Sequence, residues 1–140
     1  APFEFRGSEE PLHPSAVPAE RVSIDFGWTE VDYRWSGSGW TRRQGGSAHI
    51  DSNGVRVTPA NVIVQFVTYG TSPAAETSPE AETIGTGIAW MFTDGHLIIG
   101  EWERTDPDLP ATYHFEEEII RMTPGRTWVA LAEAGTATWE

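Results

Sequence analysis

A chain of 140 residues without cysteine is long enough to bury one hydrophobic core unaided. It has no disulfide framework, no thiolate metal site and no cysteine nucleophile. Its nine cations are all arginine, and with 21 acids they leave a formal charge of −12, which argues against nucleic acid or an anionic membrane face as partner, since both require a basic footprint.

Residues 1–20, APFEFRGSEEPLHPSAVPAE, hold four prolines and read as an extended lead-in, with a short edge strand where Phe3 and Phe5 alternate. The opening has neither the charged start nor the apolar run of a signal peptide, and no later stretch approaches the ~18 apolar residues of a span. The absence of an initial Met is expected of a processed product or of the downstream part of a longer protein. From 21 to 140 the pattern is that of one β-domain: short β-branched and aromatic runs broken by Gly, Pro and Asn.

VSIDF places Val22, Ile24 and Phe26 on one face, and VDYRW does the same with Val31, Tyr33 and Trp35. The SGSG connection then sets Trp35 opposite Trp40, an aromatic pair that pins the register. In AHIDSNGVRV, Asn53-Gly54 is a two-residue hairpin signal. It would pair Ser52 with Val55, Asp51 with Arg56 and Ile50 with Val57. The same stretch has the look of an ion loop, but it supplies one carboxylate and no bidentate Glu at its far end, so the turn is the stronger reading.

NVIVQFVTY, apolar on both faces, is expected to be a central strand covered on each side. The polar 70–83 stretch after it, with two Ser-Pro steps, reads as a mobile surface loop. IGTGIAWMF-TDGH-LIIGEWE is a second hairpin about Asp94-Gly95. Its register pairs Phe92 with Leu97, Met91 with Ile98, Trp90 with Ile99, Ala89 with Gly100, Ile88 with Glu101 and Gly87 with Trp102, whose indole would lie over the bare glycine backbone. That explains the glycines without a phosphate, because GTG here opens a strand and a nucleotide loop opens a helix. ATYHF, IIRM, RTWVAL and TATW add further strands, with Pro124-Gly125 as a type II turn. The expectation is an antiparallel all-β domain of about nine short strands, a β-sandwich or a strongly curved, barrel-like sheet.

With these motifs placed, the chain resembles the C-terminal domain of the DUF3048 family, the YerB-like bacterial lipoproteins. The likeness rests on YRWSGSGWTRRQGGSAHID, NVIVQFV, GTGIAWMFTDGHLIIGEWER, PATYHF and IRMTPGRTWVAL, in that order, over roughly Phe3 to Leu131. One departure is FEEEII, Phe115 to Ile120, which lacks the glycine the family's pattern tends to carry in that turn. The resemblance implies a separate N-terminal domain and an envelope location outside the membrane, with the anchor not in this chain. It implies no reaction.

Several residues invite chemistry. Glu101 and Glu103, two apart on one strand face, have a spacing near the ~6.5–9.5 Å of inverting glycosidases, and a solvated strand end explains them equally. His49, His96 and His114 with Asp51, or more locally His49, Asp51 and Asn53, are the metal alternatives, although the histidines fall in three hairpins. No Gly-x-Ser-x-Gly elbow is present. Seven tryptophans raise the question of sugar platforms, for which Trp28, Trp40 and Trp139 lie best, with His49, Asp51 and Asn61 as polar companions. Set against that, large aromatics dominate the interiors of small β-domains. The resulting expectation is a non-catalytic extracytoplasmic interaction module, with no cofactor, meeting cell-wall polysaccharide, an envelope protein or its own N-terminal domain. The alternative is a glycan-acting hydrolase.

Overall fold

The computed structural model describes residues 4–7, 9–50, 52–72, 75–82 and 84–140, with backbone alone for 69–72 and 75–82. Among them there is no helix. The strands in chain order are β1 Glu4–Phe5, β2 Val17–Pro18, β3 Arg21–Asp25, β4 Glu30–Trp35, β5 Trp40–Gln44, β6 Ser47–Ala48, β7 Asn61–Phe66 and β8 Thr68–Ser72. There follow β9 Ala75–Glu82, β10 Gly85–Thr93, β11 His96–Arg104, β12 Thr112–Phe115, β13 Glu118–Ile119, β14 Arg121–Met122, β15 Thr127–Ala132 and β16 Ala137–Trp139.

Two sheets make a sandwich. The larger has seven strands in the order β13-β12-β11-β10-β7-β15, with β2 paired to β11, and the smaller has five in the order β16-β3-β4-β5-β6. Pairing is antiparallel except at two places, where β15 runs parallel to β7 and β1 parallel to β14. The sheet is therefore mixed where a purely antiparallel one was expected. A parallel neighbour needs a long connection, and the chain supplies one by building β10 to β14 before returning to the free edge of β7.

Alternation explains the two cores. Val62 and Val64 face the smaller sheet and join Val22, Ile24, Val31, Tyr33, Trp40, Phe92 and Leu97 between the layers. Ile63, one residue out of phase, lies on the opposite face with Met91, Ile98, Trp102, Tyr113 and Met122. There β12 to β14 and the lead-in, pinned by β1 and β2, supply the cover. This is why NVIVQF is buried along almost its whole length.

The layers cross steeply. Phe92, Val62 and Trp128 form one row across β10, β7 and β15. Trp40 packs edge-on to Phe92 at 5.4 Å, and Arg42, two residues further along β5, lies over Trp128 at 5.3 Å. So β5 spans the row instead of following a strand.

The β10–β11 hairpin has the expected register throughout. Asp94 and Gly95, with φ of 47° and 70°, supply the two left-handed residues of a type I′ turn. Trp35 faces Trp40 as expected, with ring centroids 5.2 Å apart. The Trp102 indole lies against Gly87, where an added Cβ would come within 2.5 Å of Nε1, and its N–H donates to the Phe66 carbonyl at 2.8 Å.

The other hairpin differs. Ile50 bridges Arg56, not Val57, and Val57 is buried with its N–H on the His49 carbonyl. The reversal is therefore wider than two residues. Val57 is drawn inward because its own carbonyl receives the Arg42 N–H of β5. The Asp51–Arg56 pairing and Phe3 fall outside the described residues. In the 70–83 stretch, the backbone of β8 and β9 pairs as a ribbon with an irregularity between Thr71 and Ser72. In FEEEII, Phe115 pairs with Glu118, and Glu116 takes φ 55° in the place a glycine would ease.

Candidate functional site

The residues picked from sequence do not assemble into one site. Trp40 is fully buried between the layers, wedged by Trp35 and Phe92, so it is a core residue and no sugar platform. Asn61 is also fully buried, and the chain consumes both ends of its amide. Its Nδ2 donates to the Thr123 carbonyl at 2.7 Å and to Thr127 Oγ1 at 3.1 Å. Its Oδ1 accepts from Thr93 Oγ1 at 2.7 Å and from the Thr123 N–H at 3.2 Å. Arg6 of the lead-in closes this knot with a hydrogen bond to Thr123 Oγ1 at 2.9 Å. Asn61 is thus a structural tie between the start of β7, the end of β10 and the approach to β15.

Trp28 is 78% exposed and stacks on Phe26 beyond the end of β3, while Trp139 pairs with Val22 four residues back along that strand. They do not share a platform. Asn53 sits exposed in its turn, and Asp51 lies outside the described residues. Among the described residues no three His, Asp or Glu side chains gather as a metal would need. His96 Nδ1 bonds the Asp94 carbonyl, and His114 Nδ1 the Glu116 carbonyl, each in its own turn.

Glu101 and Glu103 stand on the outer half of the larger sheet, beside Ile88 and Thr86. Glu103 reaches within 3.9 Å of His114 Nε2. Both acids are exposed, and the neighbouring Trp102 points to the opposite face. The surface here is open. Thr86, Ile88, Ile99, Glu101 and Glu103 alternate onto the face that meets the smaller sheet, yet Ile88 and Ile99 remain 50% and 46% exposed because that sheet does not reach them. A small pocket of about 200 Å³ lies further along, between Gly87, Trp102, Phe66 and Ala134.

The site that sequence reasoning missed lies on the other edge. Arg42 sits directly across from Tyr33 on the inward face of β5, between buried Trp40 and exposed Gln44 on that face. Its guanidinium carbon is 5.8 Å from the Tyr33 ring and 5.3 Å from the Trp128 ring. Nε donates to Tyr33 Oη at 3.2 Å, and Nη1 to Gln44 Oε1 at 3.0 Å and to His49 Nδ1 at 2.6 Å. A guanidinium has no lone pair, so His49 must accept at Nδ1 and carry its proton on Nε2. The His49 ring also meets Trp128 edge-on at 6.0 Å. Burial pushes the Tyr33 hydroxyl above its ordinary pKa, against the lowering influence of the Arg42 charge. The available signal was the inward phase of Arg42, since Trp40 and Arg42 share a face of β5. Trp128 gave none, because its partners are remote in sequence.

Comparison with known proteins bears on the whole chain. No curated protein matches it. The crystal structure of YerB protein from Bacillus subtilis is similar in fold, with a TM-score of 0.78 at 16% identity over 94% of this chain. The match covers 47% of the YerB chain, so this chain spans about half its length. Residues 22–129 match the family described as "Protein of unknown function (DUF3048) C-terminal domain", and the chain therefore belongs to that family.

Proposed function

We propose that this domain is a non-catalytic interaction module of a bacterial envelope protein, held outside the membrane, and that its foremost partner is the N-terminal half of its own precursor. The observation that carries this is the uncovered face of the larger sheet. Ile88 and Ile99, diagonal neighbours on β10 and β11, are about half exposed and rimmed by Glu101 and Glu103. Apolar groups flanked by charge are the anatomy of an interface. Membership of a family defined as a C-terminal domain, and a match to half of a longer chain, supply a reason for a second domain to exist.

The hydrolase alternative has less behind it. Two catalytic carboxyls must flank a sugar in a cleft that keeps one of them protonated, and Glu101 and Glu103 stand side by side on open strand. The polysaccharide reading keeps Trp28 and Trp139 as exposed rings, on separate parts of the smaller sheet.

Calorimetric titration of this domain with the separately produced N-terminal half tests the proposal. The expected result is saturable binding that weakens about tenfold or more in Ile88→Glu/Ile99→Glu, since those side chains would anchor the contact. If the halves ignore each other and peptidoglycan fragments alter the tryptophan fluorescence, the partner is glycan. If neither binds, the interaction reading falls.

A further inference from the structure

The Arg42 cluster is an oriented positive charge that the chain does not neutralise. Arg6, Arg21, Arg34 and Arg121 each lie within 4.0 Å of a carboxylate. Arg42 has no such partner among the described residues, in a sequence with 21 acids. Its three acceptors, Tyr33 Oη, Gln44 Oε1 and His49 Nδ1, are all neutral in this arrangement. They hold the plane of the guanidinium and leave its charge intact. Two aromatic rings and a half-buried position strip away water that would otherwise screen it. Both N–H groups of Nη1 and that of Nε are committed, while Nη2 makes no hydrogen bond among the described residues. Nη2 is also not a buried orphan, so its donors reach the surface.

Two further arginines stand at the same corner. Arg56 adjoins Val57, whose carbonyl takes the Arg42 N–H, and Arg126 precedes Trp128 by two residues while its carbonyl takes the Ala60 N–H. Neither is within salt-bridge distance of a carboxylate among the described residues, and both are exposed. In a chain of charge −12, three arginines brought near one seam, with no carboxylate in ion-pair range of them among the described residues, favour an anion there.

We propose that the seam formed by Arg42, Tyr33, His49 and Trp128 binds a carboxylate, taken by the Nη2 donors of Arg42. A single half-buried guanidinium with one uncommitted nitrogen matches one negative charge presented by one or two oxygens. A phosphate of charge near −2 calls for more than one buried cation, and Arg56 and Arg126 are both surface groups. Preorganisation favours binding, because the side chain is already held by three hydrogen bonds and two rings and loses little freedom when the anion arrives.

The test is nuclear magnetic resonance of the intact domain, following the Arg42 Nε–H and the Trp128 indole N–H during titration at constant ionic strength. The probes are glucuronate and N-acetylalanine, each beside its neutral counterpart, the glucuronate methyl ester and the N-acetylalanine amide, with inorganic phosphate as a further arm. Saturable shifts of both signals with either carboxylate, absent with its neutral counterpart, are expected, and the carboxylate that binds tighter names the bearer. Arg42→Gln should abolish the response at Trp128. Arg42→Lys, which keeps the charge and serves if the glutamine variant fails to fold, should weaken it about tenfold or more, since an ammonium cannot replace the held plane. Shifts with phosphate alone, with none of the probes, or undiminished in both variants would overturn the assignment.

Discussion

Two polar clusters, one among β7, β10 and the approach to β15 and the other between β4, β5 and β15, are built on opposite terms. Around Asn61 both ends of the amide are matched to partners supplied by the chain, across β7, β10 and the approach to β15. Around Arg42 the neighbours orient a charge and leave it unpaired. A closed network spends its hydrogen-bonding capacity on holding strands together, whereas an open one keeps some in reserve for another molecule. Closure, more than polarity or burial, separates structural from functional polar groups in this fold.

The closed side of that contrast predicts the largest effect. Asn61→Ala takes the Nδ2 donor from the Thr123 carbonyl and Thr127 Oγ1 and the shared Oδ1 acceptor from the Thr93 hydroxyl and the Thr123 N–H, which keep only their contacts with each other's residue, in a position that is fully buried. The expected cost is about 3 kcal/mol, because unpaired buried donors lose their full solvation and networks fail together. Urea denaturation measures it. A loss under ~1 kcal/mol would mean that water repairs the knot, and the two clusters would then be alike.

A second closed pair lies on the far face, where Tyr113 Oη donates to Gln65 Oε1 at 2.7 Å. Burial pushes the Tyr113 hydroxyl up to about 12 from its ordinary 10.0. The folded protein thus resists ionisation that the unfolded chain accepts. For a raised pKa the stabilising contribution is complete below the unfolded value and is lost as pH climbs through the folded one. Stability should therefore hold to about pH 10 and decline toward about 12. The loss should be roughly 2 kcal/mol once partial solvent screening is allowed for. Tyr33, shifted in the same direction, adds to the decline. Tyr113→Phe should flatten much of this slope in melts at about pH 9 and about pH 11.5. An unchanged slope would assign the decline to other groups.

How far these clusters were legible in sequence follows from the distance over which each is decided. Asp94-Gly95 could be read because the turn's left-handed pair is a local demand, met with φ of 47° and 70°. The Trp35–Trp40 and Gly87–Trp102 pairings followed by counting outward from turns. Asn53-Gly54 carried the same local signal but lost to a tertiary one, since the Val57 backbone is engaged by both His49 and β5. Glu116 shows the converse, a reversal made without glycine because flanking strands hold it. The parallel β7–β15 pair lay beyond local pattern, and both polar clusters depend on it. Asn61 looked like a site residue and Arg42 drew no attention, because Thr123, Thr127 and Trp128, which complete the two clusters, come from β15 and its approach.

The open side of the contrast predicts the smallest stability effect. Arg42→Gln removes two cation–π contacts and three hydrogen bonds, yet the acceptors it leaves behind are neutral and Gln44 is exposed. Water can take the bond vacated at exposed Gln44, while the buried Tyr33 hydroxyl loses its donor, so the cost should be about 1.5 kcal/mol, a cation–π contribution plus one poorly satisfied hydroxyl. Removing a charge thus costs less than removing a neutral amide, which reverses the usual ranking of buried groups. The reversal should be conditional on ligand. A carboxylate that binds only the folded wild type raises its stability by RT ln(1 + [L]/Kd) and leaves Arg42→Gln where it was. Thermal melts with and without glucuronate should show the gap between wild type and Arg42→Gln widening with concentration, while the Asn61→Ala gap stays constant. If the Asn61 gap widened in step, carboxylate would be acting on the fold at large, and the difference between closed and open clusters would carry no functional meaning.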